Sequence, residues 1–166
     1  MAVRLAKEEE LEKVNALRKQ VYDLHALGEP SVFNDHFSDE LRKYVYTIWN
    51  DPEQDIIVNE RDGEIAGFAV LHHINMPQSP FMKERDYLDI EEFCVDESCR
   101  RCGVATEMMD FIRDYALERD IHRIELSVWA FNEPALSFYE SIGFRTCRRY
   151  MEMQIDLHDE DSALHH

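Results

Sequence analysis

One stretch constrains this chain more than any other: Glu91-Glu92-Phe93-Cys94-Val95-Asp96-Glu97-Ser98-Cys99-Arg100-Arg101-Cys102-Gly103-Val104-Ala105. It reads as an apolar strand, a short polar turn, and Arg-x-x-Gly-x-Ala opening an amphipathic helix. The first N–H groups of a helix have no intrahelical partner. Together with the helix dipole they favour an anion, a phosphate above all. Gly103 and Ala105 are small enough for a ligand to approach the backbone, and Arg100 and Arg101 add two cations at the same mouth. One reading is a pyrophosphate cradle. The other is an ordinary strand-to-helix turn that contains a glycine.

The segments around this stretch have strong periodicities. Tyr87–Val95 is a strand in which Leu88 and Ile90 share one parity and Phe93 and Val95 the other. Because side chains alternate with period two, that slip predicts a β-bulge at Glu91-Glu92; a central strand buried on both faces is the alternative. From Val104 to Glu118, Ala105, Met108, Phe111 or Ile112, Tyr115 and Ala116 recur at helical spacing. Arg123–Trp129 alternates as a strand, and strand, helix and strand in this order make a parallel crossover unit. Ligands of such units sit beyond the carboxyl ends of the strands. Asn132-Glu133-Pro134 then opens a further helix carrying Leu136, Phe138, Tyr139 and Ile142, and Gly143 ends it. Phe144 to about Ile155 reads as a closing strand, and the acidic tail 156–166 as disordered.

Upstream, Val3–Leu5 reads as a short strand and Lys7 to about Ala26 as a helix, ended by Gly28 and Pro30. Ser38 caps a second helix carrying Leu41, Tyr44, Val45 and Ile48, which stops at Asn50-Asp51-Pro52. Between these helices lies a loop with His25, Pro30 and Phe33. Ile56–Glu60 and Ile65–Leu71, joined through Asp62-Gly63, form a hairpin signal.

At 166 residues the chain is long enough for one domain, placed at 1–155. No apolar run approaches the length of a membrane span. The N-terminus enters structure directly, which points to the cytoplasm and reduced thiols. The net charge of −17 disfavours nucleic acid and anionic membranes as partners. Two readings of that acidity stand: it serves solubility, or it draws a cationic second substrate such as an amine. Cys99-Arg-Arg-Cys102 is Cys-x-x-Cys at a helix start, without the second pair a zinc site needs. The histidines lack ligand spacing, so no metal site is expected. Cys102, beside Arg101 at a helix N-terminus, is the thiol placed for reactivity.

Val95-(four residues)-Arg100-Arg101-x-Gly103-x-Ala105 resembles the acetyl-CoA-binding motif of the GCN5-related N-acetyltransferase superfamily. Leu126-x-Val128-x-x-x-Asn132-x-x-Ala135-x-x-Phe138-Tyr139-x-x-x-Gly143-Phe144 resembles its second motif, and the order of elements is similar from about Val3 to Ile155. The resemblance implies an α/β (α+β) fold: a mixed, bent β-sheet flanked by helices on both faces. It implies acetyl-CoA as co-substrate, its pyrophosphate at Arg100, Arg101, Cys102, Gly103, Val104 and Ala105. Its pantetheine arm would lie along Phe93, Cys94 and Val95, with Asn132 on the cofactor arm. Tyr139 would be the general acid that meets the thiolate; as a residue, it is equally a core aromatic, and Asn132 equally a helix cap. Glu91 or Glu92 can take the proton of the attacking amine, or can simply be solvated strand carboxylates. His25, Pro30 and Phe33 are similar to a loop that roofs the acceptor site in part of the superfamily; His25 also suits a helix C-terminus as a cation. The expected activity is acetyl transfer to a primary amine, from a small molecule or peptide, by a monomer or homodimer. The alternative is a non-catalytic acyl-CoA-binding or regulatory module on the same fold.

Overall fold

The structure is a computed structural model that describes residues 2–156. The chain separates into two compact units, Met1–Phe131 and Asn132–His166. In the first, the chain order is β1 (Val3–Leu5), α1 (Leu11–Gly28), α2 (Asp39–Trp49), β2 (Gln54–Arg61), β3 (Glu64–Met76), β4 (Arg85–Val95), α3 (Val104–Glu118) and β5 (Ile124–Leu126). The five strands form one open sheet in the order β1-β2-β3-β4-β5. The first four pair antiparallel, and β5 joins β4 in parallel, so the sheet is mixed.

Local chemistry explains these elements. The β2–β3 hairpin turns at Asp62 and Gly63, whose φ values of 51° and 78° suit the tight primed turn that an Asp-Gly pair favours. Ser38 caps α2 by accepting a hydrogen bond from the Leu41 N–H. The start of α1 is preceded by a 3₁₀ turn at Glu8–Glu10. There Arg4 bridges Glu10 and Glu60 and so ties the turn to β1 and β2.

The sheet is covered on both faces. Leu11, Val14 and Leu17 of α1 and Val45 and Ile48 of α2 pack with Ile56, Val58, Phe68, Val70 and Cys94. Burying each such aliphatic side chain stabilises the fold by about 1.5–3 kcal/mol. On the opposite face α3 buries Val104, Met108, Met109, Ile112, Tyr115 and Ala116. Its first turn comes very close to the sheet at Gly67. A Cβ there would lie 2.8 Å from Met108 Sδ and 3.1 Å from Val104 Cγ1, so only glycine lets the helix start this low.

The expected bulge is present. Val70 pairs with Glu92 and Leu71 with Ile90, which leaves Glu91 as the extra residue of β4. The parallel β4–β5 register runs from Leu88↔Ile124 to Ile90↔Leu126, whereas the β3–β4 register continues to Val95. Strand β5 is therefore shorter than the alternation of 123–129 predicts.

The second unit contains α4 (Glu133–Ser141), capped by the Asn132 side chain and ended by Gly143 at φ 108°. The strand expected from Phe144 to Ile155 does not form among the described residues. Tyr150, Met151, Met153 and Ile155 are all more than four-fifths exposed. Alternation supplies only a propensity; a strand needs a neighbouring strand and a buried face, and these side chains have no such face. The acidic tail from 157 onward lies outside the described residues.

Candidate active site

The turn after β4 is built to present backbone. Asp96 Oδ1 accepts from the N–H and the hydroxyl of Ser98, both at 2.9 Å, and starts a 3₁₀ turn over Glu97–Cys99. Arg101 and Gly103 then take φ values of 64° and 79°, with Cys102 between them at negative φ. Such alternation turns successive N–H groups toward one side and makes an anion-binding concavity. Gly103 is the N-cap of α3 and offers no side-chain cap, whereas Ser38 and Asn132 cap α2 and α4. A Cβ on Gly103 would meet nothing nearer than Arg61 Nη2 at 3.9 Å, so glycine is needed here for its φ and leaves the mouth open. Arg100 and Arg101 are exposed beside it. This arrangement fits a diphosphate.

Strand β4 runs into this cradle past the end of its pairing with β5. Phe93, Cys94 and Val95 lie on that stretch. The Cys94 side chain faces α1, where its thiol donates to the Leu17 carbonyl, and burial pushes its pKa up to about 12. All four cysteines are free; Cys102 and Cys147 are exposed, and Cys99 is half-buried.

The two candidate bases differ in their surroundings. Glu92 is bound by Arg18, whose Nε lies 3.0 and 3.1 Å from its two oxygens. The Arg18 side chain is only 4% exposed. It donates further to Asn15 Oδ1 and the Leu41 carbonyl and lies near the rings of Phe37 and Tyr44. Both oxygens of Glu92 thus share the one Nε–H of a buried guanidinium. Glu91, the bulge residue, meets His72 Nδ1 at 3.0 Å.

Beside Glu91 stands a group that the sequence reading missed. Asp89 is half-buried, and its pKa is pushed up to about 7, first by burial, then by the charge and hydrogen bond of Glu91 and by Glu125. It pairs in register with His72 on β3 and with Glu125 on β5. Glu125 is held by Arg85 and Arg123. The signal for Asp89 was in the parity: two residues before a bulge residue, it lies on the same side of β4 as Glu91.

Of the acceptor-loop residues, His25 and Phe33 come together and Pro30 stands exposed. The His25 and Phe33 rings stack at 5.4 Å and 24°, and Trp129 meets Phe33 at 5.3 Å and Phe131 meets His25 at 5.9 Å. Burial lowers the His25 pKa. Phe131 lies against the end of α1: a Cβ on Gly28 would fall 2.4 Å from its ring. Trp129 and Phe131 were not singled out in the sequence, because they follow a strand and show no motif there.

In the second unit, Asn132 Oδ1 accepts from the Ala135 N–H at 3.4 Å, so the cap is formed. Tyr139 is buried on α4, with Phe138 and Phe144 each at 5.6 Å between ring centroids.

The family model of the Acetyltransferase (GNAT) family matches residues 18–144, a span that contains both motifs. The chain belongs to this family. Among solved structures, a tetramutant of the BH1408 protein from Bacillus halodurans is similar with a TM-score of 0.87 and 28% identity, over 93% of this chain and 100% of that one. A predicted acetyltransferase from Clostridium acetobutylicum, solved with acetyl-CoA, superposes with a TM-score of 0.67 at 22% identity over 92% and 94% of the two chains. Aminoglycoside N-acetyltransferase AAC(6')-Iy, solved with the bisubstrate analog CoA-S-monomethyl-acetylneamine, gives 0.71 at 17% over 93% and 97%. The last two show the fold alone. As in the GNAT family at large, acetyl transfer is the activity this fold carries, and the five-stranded open sheet with its helices is the GNAT fold. Among the described residues no helix is long and apolar enough to cross a membrane.

Proposed function

We propose that this chain is an N-acetyltransferase that moves an acetyl group from acetyl-CoA to a primary amine by direct attack in a ternary complex. The observation that carries this reading is the uncapped start of α3, with positive φ at Arg101 and Gly103 and two arginines beside it. N–H groups so arranged suit a diphosphate even on a chain of net charge −17. Phe93, Cys94 and Val95 line the pantetheine arm, and Asn132 contacts the cofactor arm.

Acetyl transfer requires the amine nitrogen to bond to the thioester carbon while the carbon–sulfur bond breaks. One proton leaves nitrogen and one reaches the thiolate. The carboxylates at the bulge supply the acceptor. We assign it to Glu91 together with Asp89, because Glu92 is engaged by Arg18 on both oxygens. A carboxyl poised near neutral pH is well suited to accept a proton there. Tyr139 donates to the departing thiolate. The same carboxylates favour a cationic acceptor, and His25, Phe33, Trp129 and Phe131 form its aromatic boundary. Four free thiols fit a cytoplasmic protein.

The test is release of free CoA thiol from acetyl-CoA across a panel of primary amines, run with the wild type and Tyr139→Phe. Turnover with at least one amine is expected, with kcat lowered about 10- to 100-fold in the variant and CoA affinity nearly unchanged. Tight CoA binding with no turnover on any amine class would favour the non-catalytic acyl-CoA-binding module instead.

A further inference from the structure

Strand β2 reaches across to the start of α3 through two side chains that lie on the same face. Asn59 is fully buried and donates through Nδ2 to the Val104 carbonyl at 3.3 Å and to Glu107 Oε2 at 3.0 Å. Arg61, two residues on and last before the hairpin turn, donates through Nη1 to the Cys102 carbonyl and through Nη2 to Glu107 Oε1, both at 2.7 Å. Each thus holds one oxygen of Glu107 and one carbonyl of the 102–104 backbone.

The bond to the Cys102 carbonyl fixes more than that oxygen. The Cys102–Gly103 peptide is trans and planar, so its carbonyl and the Gly103 N–H point in opposite directions. A carbonyl held toward Arg61 sends the Gly103 N–H away from β2 and into the mouth between Arg101 and α3. Gly103 flanks this peptide with a free-turning φ, and without a fixed carbonyl the plane can rotate. The second bond holds back a rival. Glu107 is in the first turn of α3, where a carboxylate is attracted to the same uncapped N–H groups that would bind phosphate. Arg61 and Asn59 hold both of its oxygens on the β2 side.

We infer that Arg61 is a positioning residue for acetyl-CoA: it aims the Gly103 N–H at the diphosphate and keeps Glu107 off the helix N-terminus. This rests on the cradle reading above. Arg61 acts through these two bonds to the protein and need not touch the ligand.

The test compares wild type, Arg61→Met and Glu107→Gln by calorimetric titration with CoA, by the Gly103 amide resonance, and by kinetics with a responsive amine. If the wild type does not bind CoA, the cradle reading fails and Arg61 is not at issue. If it binds, Arg61→Met is expected to weaken CoA about 10-fold or more. It should raise KM for acetyl-CoA, spare kcat and the acceptor KM, and shift the Gly103 amide resonance. A general loosening of the fold would not divide the kinetics in this way. Glu107→Gln removes the rival charge but leaves the grip on the Cys102 carbonyl, so it is expected to tighten CoA binding by ~2-fold. Unchanged CoA affinity in Arg61→Met overturns the inference, as does a loss in Glu107→Gln equal to that in Arg61→Met. Should Arg61→Met not fold, Arg61→Lys takes its place. It keeps the charge but loses the two-pronged fork, and is expected to bind CoA ~3-fold more weakly; affinity equal to wild type in that variant overturns the inference.

Discussion

At the C-terminal end of β4 the groups of the proposed cofactor site are backbone N–H groups, set by φ at Arg101 and Gly103 and by the absence of a side-chain cap. Around the bulge of the same strand the candidate groups are side chains: Asp89, Glu91 and Glu92, which stand beside Glu125 of β5, His72 of β3 and Arg18 of α1 respectively. A backbone site depends on a few residues close together in the chain, and little side-chain variety can be tolerated where φ is positive. A side-chain site depends on which distant residues the fold delivers. The first is narrow in chemistry and suits a ligand that never changes. The second can be retuned one neighbour at a time.

The sharpest way to break this contrast is at Gly103. Gly103→Asp places a carboxylate in the proposed diphosphate cradle and loads a β-carbon onto a φ of 79°. CoA affinity is expected to fall at least ~100-fold, about 2.7 kcal/mol, with the far-UV circular dichroism unchanged. A folded variant that binds CoA like the wild type would show that the cradle lies elsewhere.

Next in size is Glu92→Gln. It removes the negative charge opposite the buried Arg18 guanidinium and leaves it neutral acceptors only: the new amide oxygen, Asn15 and the Leu41 carbonyl. Stability measured by urea unfolding should drop by about 2 kcal/mol, less than for a fully buried pair, because the Glu92 side chain is 29% exposed. Activity per folded molecule should survive. Loss of turnover without loss of stability would return Glu92 to the list of bases.

A smaller effect is expected of Asp89→Asn, about 10-fold in kcat at neutral pH, together with loss of the pH limb near 7. Its effect on stability has a definite sign. With a folded pKa of about 7 against an ordinary 3.8, the native state retains a proton between those values that the unfolded chain has released. Stability therefore falls as pH rises through that window. The variant should melt above wild type at pH 8 and approach it near pH 4. Glu10 behaves oppositely. Arg4 lowers its pKa to about 2, so its contribution is present above pH 4.5 and is lost as pH falls toward 2.

The smallest effect concerns thiols. Cys102 is exposed, and Cys94 is buried with its pKa pushed up. Alkylation followed by peptide mapping should label Cys102 well before Cys94, and bound CoA should slow the labelling of Cys102 alone. Equal rates with and without CoA would separate Cys102 from the binding site.

The same contrast explains what could be read without a structure. The open turn before α3 was legible, because Val95 through Ala105 is contiguous and its glycine and arginines carry their chemistry in type and spacing. The bulge was legible from the parity slip on β4, and the α3 helix from its period. Arg18 was not, and of Asp89 only its side of the strand was: the burial and the partners that give each its character come from the fold, and no local pattern points to them. The aromatic group of His25, Phe33, Trp129 and Phe131 was half legible, since only Phe33 and His25, which the structure places in the last turn of α1 and not in the loop, fell in a motif. The strand expected at 144–155 failed for a related reason. Alternation is a property of a segment, whereas a strand is a property of a pair.

Gly28 closes α1 with the ring of Phe131 where its own β-carbon would be. That contact makes the end of one helix a stop against which an aromatic wall rests. A methyl group there would push the ring aside, and Trp129 and His25, in contact with the same aromatic group, would have to follow. Strand β4 and the start of α3 would stay where they are. On the proposed reading of that wall as the acceptor's boundary, Gly28 is a position through which the acceptor can drift under selection while the donor chemistry is inherited unaltered.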